Sequence, residues 1–239
     1  MIDSLADTTV VVIGGSSGIG LATSRLAAAD GARVVIAGRD HGRLDAAVAD
    51  VGNGAAGVAC DVADEEAVAA LFDALDHVDH VVCLAGVHGG GPIVDTDVSA
   101  LLPPVDSRFW GPVYLAKYAA PKMTGGSITL CTGVGVARPR PGNAIVTAAC
   151  AGAEVFALAM ALELAPIRVN VIRPGIVDTP LLDRMTGDAR DDTIAALSKR
   201  IPLRRIAQPD EIAHAIAFLM TNPYVTGSTL TIDGGIGIV

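Results

Sequence analysis

The chain has 239 residues, of which 51% are apolar and 18% charged, so it can build one large α/β core and is too hydrophobic to be disordered. A net charge of −9 without any Lys/Arg stripe argues against nucleic acid and anionic membrane as partners. Cys60, Cys83, Cys131 and Cys150 are widely spaced with no CxxC pair, which argues against a disulfide framework and a metal site.

Short β-branched runs alternate with helical patterns along the whole chain. The sequence predicts a strand over 9–13, a glycine turn and a helix over 18–30. A strand at 33–37, a helix at 43–51, a strand ending at 58–60 and a helix at 65–75 follow. Next come a strand at 80–84, a helix at 106–120 starting just after the Pro103-Pro104 break, and a strand at 127–132. A long helix at 143–164, a strand at 168–172, a helix at 212–220 and a strand at 229–232 complete the series. This alternation means right-handed βαβ units: a single domain spanning 1–239, a three-layer doubly wound parallel sheet of Rossmann type. The polar stretch 179–203 reads as a lid over a substrate cleft; the plainer reading is a surface excursion. No basic, apolar leader precedes the first strand, and the expected location is cytoplasmic.

Strand, glycine turn and helix meet at Gly14-Gly15-Ser16-Ser17-Gly18-Ile19-Gly20. A pyrophosphate must approach backbone N–H groups at a helix N-terminus, and glycines leave that approach open. The spacing is weak evidence alone, since glycine turns also serve packing, but here it follows the first strand of a βαβ series. The second strand ends Gly38-Arg39, where an NAD-selective site wants an acid for the ribose 2′-hydroxyl. Arg39 with the room left by Gly38 suits a 2′-phosphate, with Ser17 as a further donor, so NADP(H) is preferred over NAD(H). The alternative is a solvated arginine opening a helix, and Asp40 would oppose a phosphate if it pointed inward.

These motifs together resemble the short-chain dehydrogenase/reductase (SDR) family over nearly the whole chain. Gly14, Gly18, Ile19 and Gly20 match its cofactor turn, with Ile13 where threonine is usual. The resemblance implies Asp61 at the adenine amino group, Val62 against the ring, and Ala85-Gly86 at the end of the fourth strand. There Cys83 and Leu84 replace two asparagines. Pro174-Gly175-Ile176-Val177 and Thr179 resemble the segment that holds the nicotinamide carboxamide. Pro209-Asp210-Glu211-Ile212-Ala213, Val225-Thr226-Gly227 and Asp233-Gly234-Gly235 match the C-terminal pattern.

The same resemblance implies an Asn-Ser-Tyr-Lys tetrad, in which lysine lowers the pKa of a tyrosine acid/base. The matching positions here are Arg108, Gly133, Val146 and Cys150. Tyr118 and Lys122 form a literal YxxxK, but they precede the fifth strand and end a helix at Pro121. As replacements, Arg108 is suited to polarise a carbonyl or hold a carboxylate, though an arginine does not readily release a proton. Its alternative is an ion pair with Asp106 or another nearby acid. His88, on the loop after Gly86, titrates near neutrality or is a solvated loop residue. Thr132 offers a hydroxyl in place of the serine. Cys150 reads as a buried core thiol, and Glu154 as a solvated or interface charge.

Two functions fit. One is an oxidoreductase passing hydride between NADP(H) and a small apolar carbonyl, imine or enone without the usual Tyr/Lys pair. The other is a catalytically inactive NADP(H)-binding sensor or scaffold. The resemblance also implies a homotetramer or homodimer packed through the helices at 106–120 and 143–164.

Overall fold

The computed structural model describes residues 4–239. Its seven strands are β1 (Thr9–Ile13), β2 (Arg33–Gly38), β3 (Ala56–Ala59), β4 (His80–Cys83), β5 (Ser127–Cys131), β6 (Arg168–Pro174) and β7 (Thr229–Ile232). They form one wholly parallel sheet in the order β3-β2-β1-β4-β5-β6-β7. A parallel sheet is covered on both faces, which is why β1 after Thr9 is an unbroken run of Val and Ile and the strand is buried along its whole length. Period-2 alternation divides that run. Val11 and Ile13 join Phe72, Val81, Leu115 and Leu130 in one core layer. Val10 and Val12 join Ile36, Leu44, Ile212 and Ile216 in the other. Each fully buried Val, Ile, Leu or Phe contributes about 2 kcal/mol of transfer free energy.

The helices covering the sheet are α1 (Gly18–Ala29), α2 (His41–Val51), α3 (Glu65–Asp73), α4 (Val98–Val105), α5 (Gly111–Ala119), α6 (Ala144–Glu163), α7 (Pro180–Thr186), α8 (Arg190–Arg200) and α9 (Pro209–Thr221). Local chemistry starts several of them. Asp40 accepts from the Arg43 amide at α2, and Asp64 accepts from the Glu66 and Ala67 amides at α3. Pro209 opens α9, where Glu211 accepts from the Gln208 amide.

The Pro103-Pro104 pair does not precede its helix, as the sequence predicts; it lies inside α4. The helix then runs through a π turn, Asp106–Trp110, into α5. The Ser107 hydroxyl donates to the Pro103 carbonyl at 2.9 Å and accepts from the Val87 amide at 2.9 Å, tying this irregular stretch to the loop after β4. Residues 179–203 fold as α7 and α8, with Leu182 and Ile201 packed on Ile206 and Ile236 in a small separate cluster. Among the described residues one helix, α6, is long and apolar enough by length and composition to cross a membrane. In this fold it buries Val146, Ala149, Cys150, Ala153 and Ala157, while Val155, Leu158 and Leu162 are exposed.

Strand order reverses between β1 and β4. Connections leave the carboxyl ends of those strands in opposite directions, so a crevice opens there.

Candidate active site

That crevice is a cleft of about 430 Å³ above the ends of β1, β4, β5 and β6. Its floor on one side is the glycine turn. Gly14 has φ +82°, and a Cβ there would stand 2.8 Å from the Ala85 nitrogen. A Cβ on Gly20 would lie 2.0 Å from the Gly14 carbonyl oxygen, a clash between main-chain atoms that no rotamer relieves. Gly18, at φ +51°, lets the turn touch Thr179, whose Cγ2 would be 3.0 Å from a Cβ there. At the α1 N-terminus Ser17 makes no side-chain capping bond. This cradle, with first-turn amides at a helix start and no side chain in the way, fits a pyrophosphate.

Arg39 stands beside this turn, 3.6 Å from Asp61, with both side chains partly exposed. Asp40 is turned to its own helix. Its carboxylate holds the Arg43 amide and lies 3.4 Å from the Arg43 guanidinium, and the amide bond is the main reason its pKa is lowered.

Arg108 occupies the opposite end. The π turn carries its side chain beneath the loop after β4, where Nε donates to the Val87 carbonyl at 3.0 Å. Nη1 reaches the Cys150 sulfur at 4.0 Å and Nη2 lies 3.4 Å from His88 Nδ1. Among the described residues no carboxylate pairs with Arg108, so the Asp106 ion pair weighed from the sequence is not formed. A guanidinium only donates, so the contact favours the tautomer in which His88 Nδ1 accepts and Nε2 carries the hydrogen. Loss of water from part of the ring, and then the Arg108 charge, lower the His88 pKa. Burial raises the Cys150 thiol, with Arg108 opposing.

Beside them, the Thr132 hydroxyl donates to Glu154 Oε1 at 2.8 Å. Arg173 Nε donates to the same oxygen at 2.9 Å, and its Nη2 pairs with Oε2. Glu154 is therefore buried, not solvated or at an interface as the sequence reading has it. Its charge is accommodated because Arg173, on the adjoining strand, pairs with it. With its hydrogen committed to a carboxylate, Thr132 offers the cleft lone pairs rather than a donor. A Cβ on Gly133 would meet nothing within 4 Å, so the space beside Thr132 is open.

Residues 13–237 match the family described as Enoyl-(Acyl carrier protein) reductase. The human 3-oxoacyl-[acyl-carrier-protein] reductase is 34% identical over 98% of this chain and 99% of its own. A solved short chain dehydrogenase/reductase family protein superposes with a TM-score of 0.89 at 36% identity, covering 99% of this chain and 100% of its own. A variant of actinorhodin polyketide ketoreductase, solved with NADPH, superposes with a TM-score of 0.90 at 27% identity, covering 98% of each chain.

The chain belongs to the short-chain dehydrogenase/reductase family.

Each residue the sequence offered for the cofactor or for the family's tetrad positions, with His88 and Thr132, lines this one SDR cleft. Ser16, Ser17, Ile19 and Arg39 lie with Asp61 and Val62 at one end. Ala85 and Gly86 line the cleft at the end of β4, and Pro174, Gly175, Ile176, Val177 and Thr179 after β6. His88, Arg108, Thr132, Gly133, Val146 and Cys150 gather at the other end. No tyrosine or lysine lines the SDR cleft among the described residues. Tyr118 instead donates to Glu65 at 2.8 Å, outside it. The sequence reading missed Arg138, Arg140, Arg184 and Met185, which also line the cleft. The Arg-Pro-Arg-Pro run at 138–141 is the signal for the first two.

Proposed function

We propose that this SDR protein is an NADP(H)-dependent oxidoreductase acting on a small apolar carbonyl, imine or enone without a Tyr/Lys pair. The observation that carries the reading is the position of Arg108. It is a guanidinium without a carboxylate partner among the described residues, and it lines the same cleft as the glycine turn.

In the cofactor half, Gly14, Gly18, Ile19 and Gly20 with Ser16 and Ser17 would receive the pyrophosphate. Arg39 would take the 2′-phosphate, Asp61 and Val62 the adenine, and Thr179 with the Ile176-Val177 backbone the carboxamide. When bound, the cofactor supplies or accepts a hydride.

In the reacting half, Arg108 holds and polarises the substrate oxygen, spreading the charge that develops on it. The proton comes from solvent by way of water ordered by Arg108 and His88; the neutral His88 ring, exposed at the cleft mouth, offers that water a hydrogen bond from Nε2–H and does not itself give up the proton. Thr132 accepts from a substrate hydroxyl. Cys150 has a raised pKa and stays a thiol, packing against the substrate side. Activated acceptors need the least help from an acid, which is why imines and enones suit this site. Residues 179–203 form the lid. Helices α5 and α6, with exposed Val155, Leu158 and Leu162, form the homo-oligomer face.

The second reading, an NADP(H)-binding sensor without turnover, is favoured by one observation: neither tyrosine nor lysine lines the cleft. Calorimetric titration with NADPH and NADH, followed by oxidation of NADPH against carbonyl, imine and enone panels, separates the two. Tighter NADPH binding with turnover supports the enzyme, binding without turnover on any panel supports the sensor, and failure of both nucleotides to bind overturns both.

A further inference from the structure

A side pocket of about 140 Å³ adjoins the SDR cleft, and Val134, Arg138 and Arg140 line both. Arg200, at the end of α8, with Pro139 and Ile236 completes its wall. Three arginines thus line one small space, and among the described residues no carboxylate lines it. None of the three has an ion pair or side-chain hydrogen bond within the described residues. The chain carries 26 carboxylates against 17 Lys and Arg, yet among the described residues none of those carboxylates lines this pocket. Many of its other cations are neutralised: Arg25 by Asp50, Lys117 by Glu65, Arg173 by Glu154, Arg190 by Asp178 and Asp183, Arg205 by Glu211. Arg184, on α7, lines the main cleft and likewise has no partner among the described residues. Like charges held together without a counter-ion repel, and an anion seated among them removes that cost.

We infer that the substrate's carbonyl-bearing apolar chain ends in an oxyanion, a carboxylate or a phosphate, seated between Arg138, Arg140 and Arg200. The inference rests on the oxidoreductase reading for the carbonyl and on the side pocket for the anion. Val146, Leu182 and Met185 give the intervening chain apolar walls. Guanidinium forks match carboxylate and phosphate oxygens bidentately, so a neutral tail of the same length gains nothing equivalent. Arg138, Arg140 and Arg200 are exposed, so the preference weakens as salt rises.

The test is calorimetric titration of the NADPH-loaded protein with hexyl phosphate, hexanoate and 1-hexanol at low salt. At least one anion binds about tenfold or more tighter than hexanol, and the tighter anion identifies the oxyanion. The R138A/R140A double variant brings the three probes to within about twofold of one another. R138K/R140K, which keeps both charges, retains most of the preference, and R25A/R205A, an equal charge loss outside the cleft, retains all of it. Equal affinity for all three probes overturns the inference, as does a preference unchanged in R138A/R140A. Failure of NADPH to bind sinks the oxidoreductase reading alone, and the same three probes titrated into the cofactor-free protein then decide the side pocket by the same criteria.

Discussion

Thr132 and Glu154, 22 residues apart, are joined by a 2.8 Å hydrogen bond in which the threonine is the donor. The bond sets the polarity of that side of the cleft, and the same carboxylate is paired with Arg173 where only 11% of the Glu154 side chain is exposed.

Replacing Glu154 by alanine strands Arg173, whose side chain is 20% exposed. The expected loss is about 3 kcal/mol, measured by urea denaturation at constant m-value. Replacing both partners by methionine removes the stranded charge and recovers most of that loss. A double variant as unstable as E154A shows that the pair matters through packing and not through charge.

His80 gives a second test. Its Nδ1 lies 2.9 Å from Ser127 Oγ, and burial, then the Arg168 charge, push its pKa down to about 4, with Asp79 opposing. The unfolded imidazole takes up its proton near pH 6.5, so the folded state binds fewer protons below that value. Stability is therefore full above pH 6.5 and falls as pH drops toward 4, by about 2 kcal/mol at pH 5 from this group alone. H80N flattens the slope of stability between pH 7 and 5; an unchanged slope assigns the dependence elsewhere.

Arg39→Asp reverses the charge beside the glycine turn and beside Asp61. NADPH affinity falls by a factor of about a hundred, and NADH affinity changes by less than about threefold. Equal loss for both nucleotides removes Arg39 from the 2′-phosphate role.

Arg108→Met keeps an unbranched apolar stem and removes the guanidinium and its charge. Turnover found with any substrate falls by about a hundredfold or more in kcat, while NADPH affinity stays within about twofold. Arg108→Lys does not restore it, because one ammonium cannot serve the Val87 carbonyl, the His88 ring and a substrate oxygen from a single fork.

The sheet was readable in the sequence because a parallel strand buried on both faces favours a short β-branched apolar run, and residues 10–13 are such a run. The glycine turn after β1 was readable because close backbone approach leaves glycine few substitutes. Three features were not. The burial of Glu154 depends on Arg173, 19 positions away on another element, and no local pattern reveals that pairing. Prolines usually mark a helix boundary, yet Pro103 and Pro104 are held inside α4 while Ser107 satisfies a carbonyl there. Arg138 and Arg140 read as loop polarity until the fold brings Arg200, 60 positions along, to the same pocket.

The π turn at Asp106–Trp110 makes the cleft's chemistry a matter of chain length as well as of side-chain identity. A widened turn accommodates one residue more than the regular helix does. Deleting a single residue just after Arg108, such as Phe109, would close the turn and swing the arginine by about 100° relative to α5, out of reach of Val87, His88 and Cys150. A one-codon deletion thereby separates the positioning of this group from its identity, which no substitution at Arg108 does.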